Sequence, residues 1–253
     1  MTGSPVGVLR RIEVGGHGLY WGMGDISSLV FTVLPLEGHR LARPVERHEQ
    51  FLAHALRLLN GLDGPFSESV HDYLSMLIWL EESEASVESF TSSSFPALPH
   101  CAFMTDKALR DIPPDTILPE DSPWALAENL YHESLHQQLS ATILQEDILS
   151  DAYDARSAPK ISVPWRSTDW EIDRAFHALY VYSRLLPMRE QYARSRDLDP
   201  LAAFYIAEAI QKGRAALRYL AEALRAFDCC FTDTGKGLVT QIVSEARSVV
   251  RAG

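Results

Sequence analysis

Apolar residues recur at helical spacing along most of the chain, whereas the N-terminal part is rich in glycine and β-branched residues. Residues 29–34 form an apolar run, which predicts a strand that ends at Pro35. The glycine-rich residues 17–24 predict a loop. Apolar positions between residues 45 and 59, followed by Gly61, predict an amphipathic first helix.

The middle of the chain alternates between helix, loop and strand patterns. A second helix is predicted for residues 66–82, whose apolar positions share one face. These positions are Val70, Tyr73, Leu74, Leu77 and Leu80. The acidic, serine-rich residues 81–94 predict an exposed loop, and residues 100–104 predict a short strand.

The remaining sequence predicts long helices, each opened by a polar cap. The predicted helices cover residues 123–149, 169–186, 200–227 and 235–250. Ser122 and Asp199 each precede a proline, which suits the first helical position. Thr168 and Glu171 match a capping box, and Pro187 is expected to end the helix that this box opens. Thr234 is expected to cap the last helix.

These elements predict a mainly α fold, a single helical domain with a small β element near the N-terminus. The domain is expected to cover residues 1–253. Residues 1–100 have no assigned role, and residues 101–253 form the helical region that contains the candidate chemistry.

Composition and charge restrict the partners. The chain has 23 Lys and Arg residues against 34 Asp and Glu, a net charge of −11, so we expect neither nucleic acid nor an anionic membrane surface as a partner. Its 46% hydrophobic residues argue against wholesale disorder. Three cysteines, no secretion signal and no apolar stretch long enough to span a bilayer predict a cytoplasmic protein.

One short motif carries specific chemistry. His132-Glu133-Ser134-Leu135-His136 has the pattern H-E-x-x-H and lies inside a predicted helix. Residues four apart stand on one face of a helix, so both imidazoles can reach one metal ion. Glu133 is offset by about 100° and lies beside such an ion.

A third ligand must come from elsewhere in the chain. The metzincin extension requires a glycine and a histidine where this chain has Leu139 and Thr142, so that class is excluded. Glu171, Asp173 and His177 all remain open as candidates, and Asp173 and His177 share one helix face.

The motif and its surroundings resemble the HExxH-motif peptide-modification proteins. The resemblance covers residues 97–186 and includes residues 126–139, Val163-Pro164-Trp165-Arg166 and residues 176–180. Those are bacterial proteins linked to ribosomally made, modified peptides, described as iron- and 2-oxoglutarate-dependent peptide β-hydroxylases. Where the family shows a run of arginine and proline after Pro-Trp-Arg, this chain has residues 167–171, Ser-Thr-Asp-Trp-Glu.

The resemblance implies a set of site residues. The iron ligands would be His132, His136 and His177, which leaves positions for dioxygen and for 2-oxoglutarate. Asp173 would orient His177, and Glu133 would orient bound water or substrate. The distal carboxylate of 2-oxoglutarate calls for an arginine, and the candidates are Arg166 first and Arg174 second.

The expected function is therefore hydroxylation of a Cβ atom in a precursor peptide, with Fe(II), 2-oxoglutarate and O2. The motif equally suits a zinc-dependent hydrolase in which Glu133 is the general base. A third alternative is a helical binding module with a structural or degenerate metal site. The sequence assigns no oligomeric state.

Overall fold

The computed structural model of the chain describes residues 9–14, 17–22, 38–43, 45–82, 90–166, 168–195 and 198–251. These residues fall into two compact units. The first consists of the residues up to 112 together with 117–138, and the second of 113–116 with 139 onwards. Such units also occur within one folded domain, so the prediction of a single domain stays a prediction. The strand predicted for residues 29–34 lies outside the described residues.

The first unit combines strands with helices. Its strands are β1 (Leu9–Val14), β2 (His17–Gly22), β3 (His39–Leu41), β4 (Met76–Glu82), β5 (Ser92–Ser94) and β6 (Cys101–Met104). Its helices are α1 (Glu46–Asn60), α2 (Phe66–Tyr73) and the part of α3 (Pro123–Gln145) up to residue 138. Two further strands, β7 (Asp111–Ile112) and β8 (Thr116–Ile117), form a small separate sheet. The predicted first helix and the predicted strand near residue 101 are confirmed by α1 and β6.

Strands β1 to β6 form one mixed sheet in the described part of the chain. The order is β1-β2-β4-β6-β5, and β3 pairs with the second half of β4. Strand β4 runs parallel to both β2 and β6, whereas the other pairs are antiparallel. The side chains of residues 77–80 are all buried, as expected for a central strand that is covered on both faces.

The prediction of a mainly α fold with a small β element is therefore wrong, because this sheet makes the fold α/β. The error arose in residues 66–82, which were predicted to form one helix. In the structure α2 ends at Tyr73 and β4 begins at Met76. The apolar positions fit helical spacing, but residues 77–80 form an unbroken apolar run, which is also typical of a central strand.

Strand β2 corrects a second prediction. Residues 17–24 were predicted to be a loop because of their glycines, yet residues 17–22 pair with β1 along their whole length. Leu19 and Trp21 are buried while Tyr20 between them is exposed, which is the alternation of a strand with one covered face. The loop was predicted because the glycines were given more weight than this short alternation of apolar and polar residues.

The second unit is helical. It contains the end of α3 and helices α4 (Ile172–Tyr192), α5 (Pro200–Arg225) and α6 (Asp233–Arg251). The predicted start of α5 is confirmed, because the Asp199 carboxylate accepts hydrogen bonds from the backbone N–H groups of Leu201 and Ala202, both at 2.9 Å. Among the described helices, none is both long enough and apolar enough to cross a membrane.

Helix α4 begins and ends later than predicted. Its N-cap is Glu171, without a side-chain cap, so the predicted capping box is wrong. The helix also continues through Pro187, although proline inside a helix costs roughly 3 kcal/mol. Beyond the proline, the fully buried Arg189 donates a hydrogen bond of 2.9 Å to the carbonyl of Ala209 in α5. This contact within the unit favours a continuous helix where local sequence predicts an end.

The contact between α4 and α5 yields a stability prediction. A Cβ atom on Gly213 would lie 2.5 Å from Arg189 Nη1 and 3.2 Å from Leu186 Cδ2, so Gly213→Ala must displace a buried, hydrogen-bonded guanidinium. We expect a loss of roughly 1–3 kcal/mol in the free energy of unfolding. Gly237→Ala is the matched control, because a Cβ there meets nothing within 4 Å. Urea unfolding that shows Gly213→Ala to be as stable as the original chain would contradict this packing.

Candidate metal centre

Helix α3 places the motif. Ser122 caps its start, with the Trp124 backbone N–H donating to Ser122 Oγ at 3.2 Å, and Pro123 occupies the first turn. This confirms the predicted helix and its first residue. Residues 124–131 are all buried, so the helix enters the core of the first unit immediately before the motif. The histidines therefore stand on a rigid, internally packed element.

The two motif histidines face each other. His132 Nε2 and His136 Nε2 lie 3.0 Å apart, and the ring centroids are separated by 4.7 Å. The side chain of His132 keeps 16% of its surface exposed, so the pair can be reached from solvent. This arrangement follows from the helix, which stacks residues four apart on one face.

The donor chemistry of this pair fits a transition-metal ion. Two nitrogens 3.0 Å apart can both lie at a ligand distance of about 2.1 Å from one cation. Imidazole nitrogen is a common ligand for zinc and iron. Across the residues that the structure describes, no three or more His, Cys, Asp or Glu side chains gather as a metal-binding group.

Glu133 lies beside the histidine pair and inside the protein. Its side chain is almost fully buried, and its Oε1 is 3.9 Å from His132 Nε2. Burial raises the pKa of Glu133 to about 7, although hydrogen bonds with Ser92 and Ser94 partly oppose the rise. A carboxyl group with this pKa can hold or release a proton near neutral pH.

Ser92 of β5 connects Glu133 to Asn129. The Ser92 hydroxyl lies 2.6 Å from Glu133 Oε1 and 3.2 Å from Asn129 Oδ1. The Asn129 amide nitrogen, which has two protons, lies within hydrogen-bond distance of the carbonyls of Ala108, Asp111 and Ala125, so Oδ1 is the atom that faces Ser92 as an acceptor. One hydroxyl proton cannot serve two acceptors. The shorter contact is a hydrogen bond from the Ser92 hydroxyl to Glu133 Oε1, which stabilises the carboxylate and lowers the pKa of Glu133 against the larger effect of burial.

Three polar residues of α3, Asn129, Glu133 and Gln137, follow one another at intervals of four residues and therefore lie on one face of the helix. We call these three residues the polar row. The Gln137 amide nitrogen donates to the carbonyls of Leu98 and Cys101 at 3.3 Å, and its oxygen accepts from the His100 backbone N–H at 3.2 Å. The polar row thus joins α3 to β5, β6 and the segment between them. Sequence analysis missed Asn129 and Gln137, although their spacing in an apolar helix was a usable signal.

The other predicted site residues lie in the second unit. His177 is partly buried on α4, and burial lowers its pKa while the negative charge of Asp173 opposes that shift. Asp173 accepts a hydrogen bond of 2.8 Å from the hydroxyl of Tyr153, and burial together with this contact raises the pKa of Tyr153 to about 12. Tyr153 is a residue that sequence analysis missed, because no local pattern links it to Asp173.

The remaining candidates, Glu171, Arg174 and Arg166, differ in the contacts that their side chains make. Glu171 pairs with Lys160 at 2.8 Å, a contact that lowers the pKa of Glu171. The Arg174 guanidinium stacks 4.9 Å from the centre of the Trp170 ring. Arg166 is exposed, in a turn where its backbone N–H donates to the carbonyl of Val163 at 3.0 Å.

The structure therefore brings His132, Glu133 and His136 together in the first unit, and holds Asp173 close to His177 in the second. The full ligand set of three histidines stays a prediction. Comparison with models of known protein families finds no match, and no curated protein matches the chain.

Proposed function

We propose that this protein is an iron(II)- and 2-oxoglutarate-dependent oxygenase that hydroxylates a Cβ atom in a ribosomally made peptide. The observation that carries the proposal is the pair of imidazole nitrogens 3.0 Å apart within an H-E-x-x-H helix. The resemblance of residues 97–186 to peptide β-hydroxylases selects this chemistry among those that a histidine pair can support.

Each site residue then has a task. His132 and His136 would hold the iron, the resemblance implies His177 as the third ligand, and Asp173, which accepts from Tyr153, would orient His177. Iron(II), 2-oxoglutarate and O2 together supply the oxidising power to hydroxylate an unactivated carbon, with release of succinate and carbon dioxide. Glu133 orients bound water or the peptide by hydrogen bonding beside the His132 ring.

Arg166 is our first choice for the distal carboxylate of 2-oxoglutarate. Its guanidinium offers the planar, bidentate donor that a carboxylate prefers. Burial raises the pKa of Tyr182 to about 12, and the positive charge of Arg166 opposes that rise. Arg174 is second, because its guanidinium already stacks on Trp170.

Substitution of Arg166 tests this assignment. We expect Arg166→Leu to raise the KM for 2-oxoglutarate by about 10- to 100-fold, the loss of a charge-assisted contact, with iron binding unchanged. Steady-state succinate formation measures it, and Arg174→Leu is the matched control. An unchanged KM in Arg166→Leu together with a raised one in Arg174→Leu would reverse the two assignments.

A specific observation also favours a second candidate, a zinc-dependent peptide hydrolase. Glu133 combines a pKa of about 7 with a position 3.9 Å from His132 Nε2, which suits a general base for a water molecule at the metal. In that enzyme His132 and His136 would bind zinc in place of iron.

One reconstitution experiment separates the two candidates. The purified chain is loaded with iron(II) without oxygen and mixed with peptides encoded beside its gene, and 2-oxoglutarate and air are then added. We expect mass spectrometry to show the gain of one oxygen atom and a matching yield of succinate. Peptide cleavage that requires zinc and Glu133, without oxygen uptake, would support the hydrolase and contradict the oxygenase.

We infer that the protein works in the cytoplasm on a peptide partner. Cys101, Cys229 and Cys230 are all free thiols, which suits a reducing compartment. The net charge of −11 favours a neutral or basic peptide over nucleic acid.

A further inference from the structure

Strand β5 presents Ser92 and Ser94 to Glu133 of the motif helix, and the Ser92 contact is 2.6 Å long. Its three residues pair antiparallel with β6, with Ser92 opposite Met104 and Ser94 opposite Ala102. Side chains alternate along a strand, so Ser93 points to the other face of the sheet from Ser92. The position of Ser92 relative to α3 is therefore set by the backbone of the sheet.

Further contacts fix the strand beside Ser92. The carbonyl of Thr91 accepts from the Thr105 backbone N–H at 3.1 Å, and the Thr91 hydroxyl donates to Asp111 at 3.0 Å. On the helix side, Asn129 is held by three carbonyl acceptors and turns its oxygen to the Ser92 hydroxyl. The Ser92 oxygen is thus placed by contacts on both the strand side and the helix side, and its hydroxyl donates to the nearer acceptor, Glu133 Oε1 at 2.6 Å.

A buried glutamate has three side-chain torsions, and its carboxylate needs a partner to keep one orientation. The 2.6 Å contact with Ser92 supplies that partner on Oε1, the same oxygen that lies 3.9 Å from His132 Nε2. We propose that Ser92 is a positioning residue, which sets the orientation of the Glu133 carboxylate beside the histidine pair. The proposal rests on the proposed metal site, and it names a residue outside the motif and 41 positions before Glu133.

A double-mutant cycle on the metal-free protein tests the contact. The variants are Ser92→Ala, Glu133→Leu and the double substitution, and the measurement is the equilibrium constant for unfolding in urea. We expect Ser92→Ala to raise this constant about tenfold more with Glu133 present than in the Glu133→Leu background. Ser93→Ala, from the opposite face of the same strand, should change it equally in both backgrounds. Ser92→Cys replaces Ser92→Ala if the alanine variant does not fold.

The catalytic effect is then measured with the peptide that the reconstitution experiment identifies as the substrate. We expect Ser92→Ala to lower kcat about tenfold or more, with the KM for the peptide and the affinity for iron(II) unchanged. Ser92→Thr, which keeps the hydroxyl, should restore kcat, and Ser93→Ala should leave it unaltered. Loss of iron affinity in Ser92→Ala, or failure of threonine to restore kcat, would overturn the proposal.

The cycle also separates this inference from the proposed function. Absence of coupling between Ser92 and Glu133 overturns the positioning role, whatever reaction the protein catalyses. If the chain binds no iron(II) and modifies no peptide, the oxygenase proposal fails, and coupling in the metal-free protein still decides whether Ser92 orients Glu133.

Discussion

His136→Ala is expected to abolish iron binding and, with it, hydroxylation. His136 Nε2 lies 3.0 Å from His132 Nε2, so the substitution removes one of the two nitrogens that are close enough to share one ion. Loss of residues that only support metal ligands typically costs 10- to 100-fold in affinity, so loss of a ligand should cost more than about 100-fold. Anaerobic titration with iron(II), followed by metal analysis of the desalted protein, measures this.

The control must show whether iron binding is lost because a ligand is missing or because the variant is misfolded. His136 is partly exposed, so we expect His136→Ala to keep the cooperative unfolding and helical circular dichroism of the original chain. His54→Ala changes an exposed histidine of α1 and should keep full iron affinity. Full occupancy in His136→Ala would contradict the assignment, whereas an unfolded variant would favour a structural role for the site.

Glu133→Gln is expected to make the metal-free protein more stable at alkaline pH. Because burial raises the pKa of Glu133 from 4.5 to about 7, the folded chain binds a proton more tightly than the unfolded chain. This contribution is fully present below pH 4.5 and is lost as the pH rises through about 7. The difference corresponds to about 3 kcal/mol, which the neutral glutamine avoids at pH 8.

Urea unfolding at pH 4 and pH 8 checks the expected sign. The variant should match the original chain at pH 4 and exceed its free energy of unfolding at pH 8. Glu222→Gln, an exposed position on α5, reports the effect of removing a negative charge alone. Equal stability of Glu133→Gln and the original chain at both pH values would show that Glu133 ionises without penalty.

The start of the helix that carries the motif could be predicted from local sequence, whereas its end was predicted four residues too late, at residue 149 and not at Gln145. Ser122 and Pro123 mark its start, and the burial of residues 124–131 follows from an apolar stretch with few polar interruptions. Helical geometry alone then requires that His132 and His136 share a face. Every step uses residues that are near one another along the chain.

The sheet could not be predicted by the same means. Residues 77–80 satisfy both helical spacing and the composition of a buried strand, and only pairing with β2 and β6 resolves that ambiguity. Ser92 and Glu133 are 41 positions apart in sequence, and Tyr153 and Asp173 are 20 apart. No local sequence pattern therefore predicts either contact. Pairing between strands distant in sequence determines the structure of these residues, which hydrophobic periodicity alone does not.

The polar row of α3 separates anchoring from ligation. Asn129, Glu133 and Gln137 hold the helix to the sheet, while His132 and His136 occupy the neighbouring row of the same helix. None of these anchoring contacts involves a histidine side chain, so we expect substitutions at the two histidines to leave them intact. The two histidine positions can therefore vary between relatives or designed variants while the contacts that anchor the helix are retained.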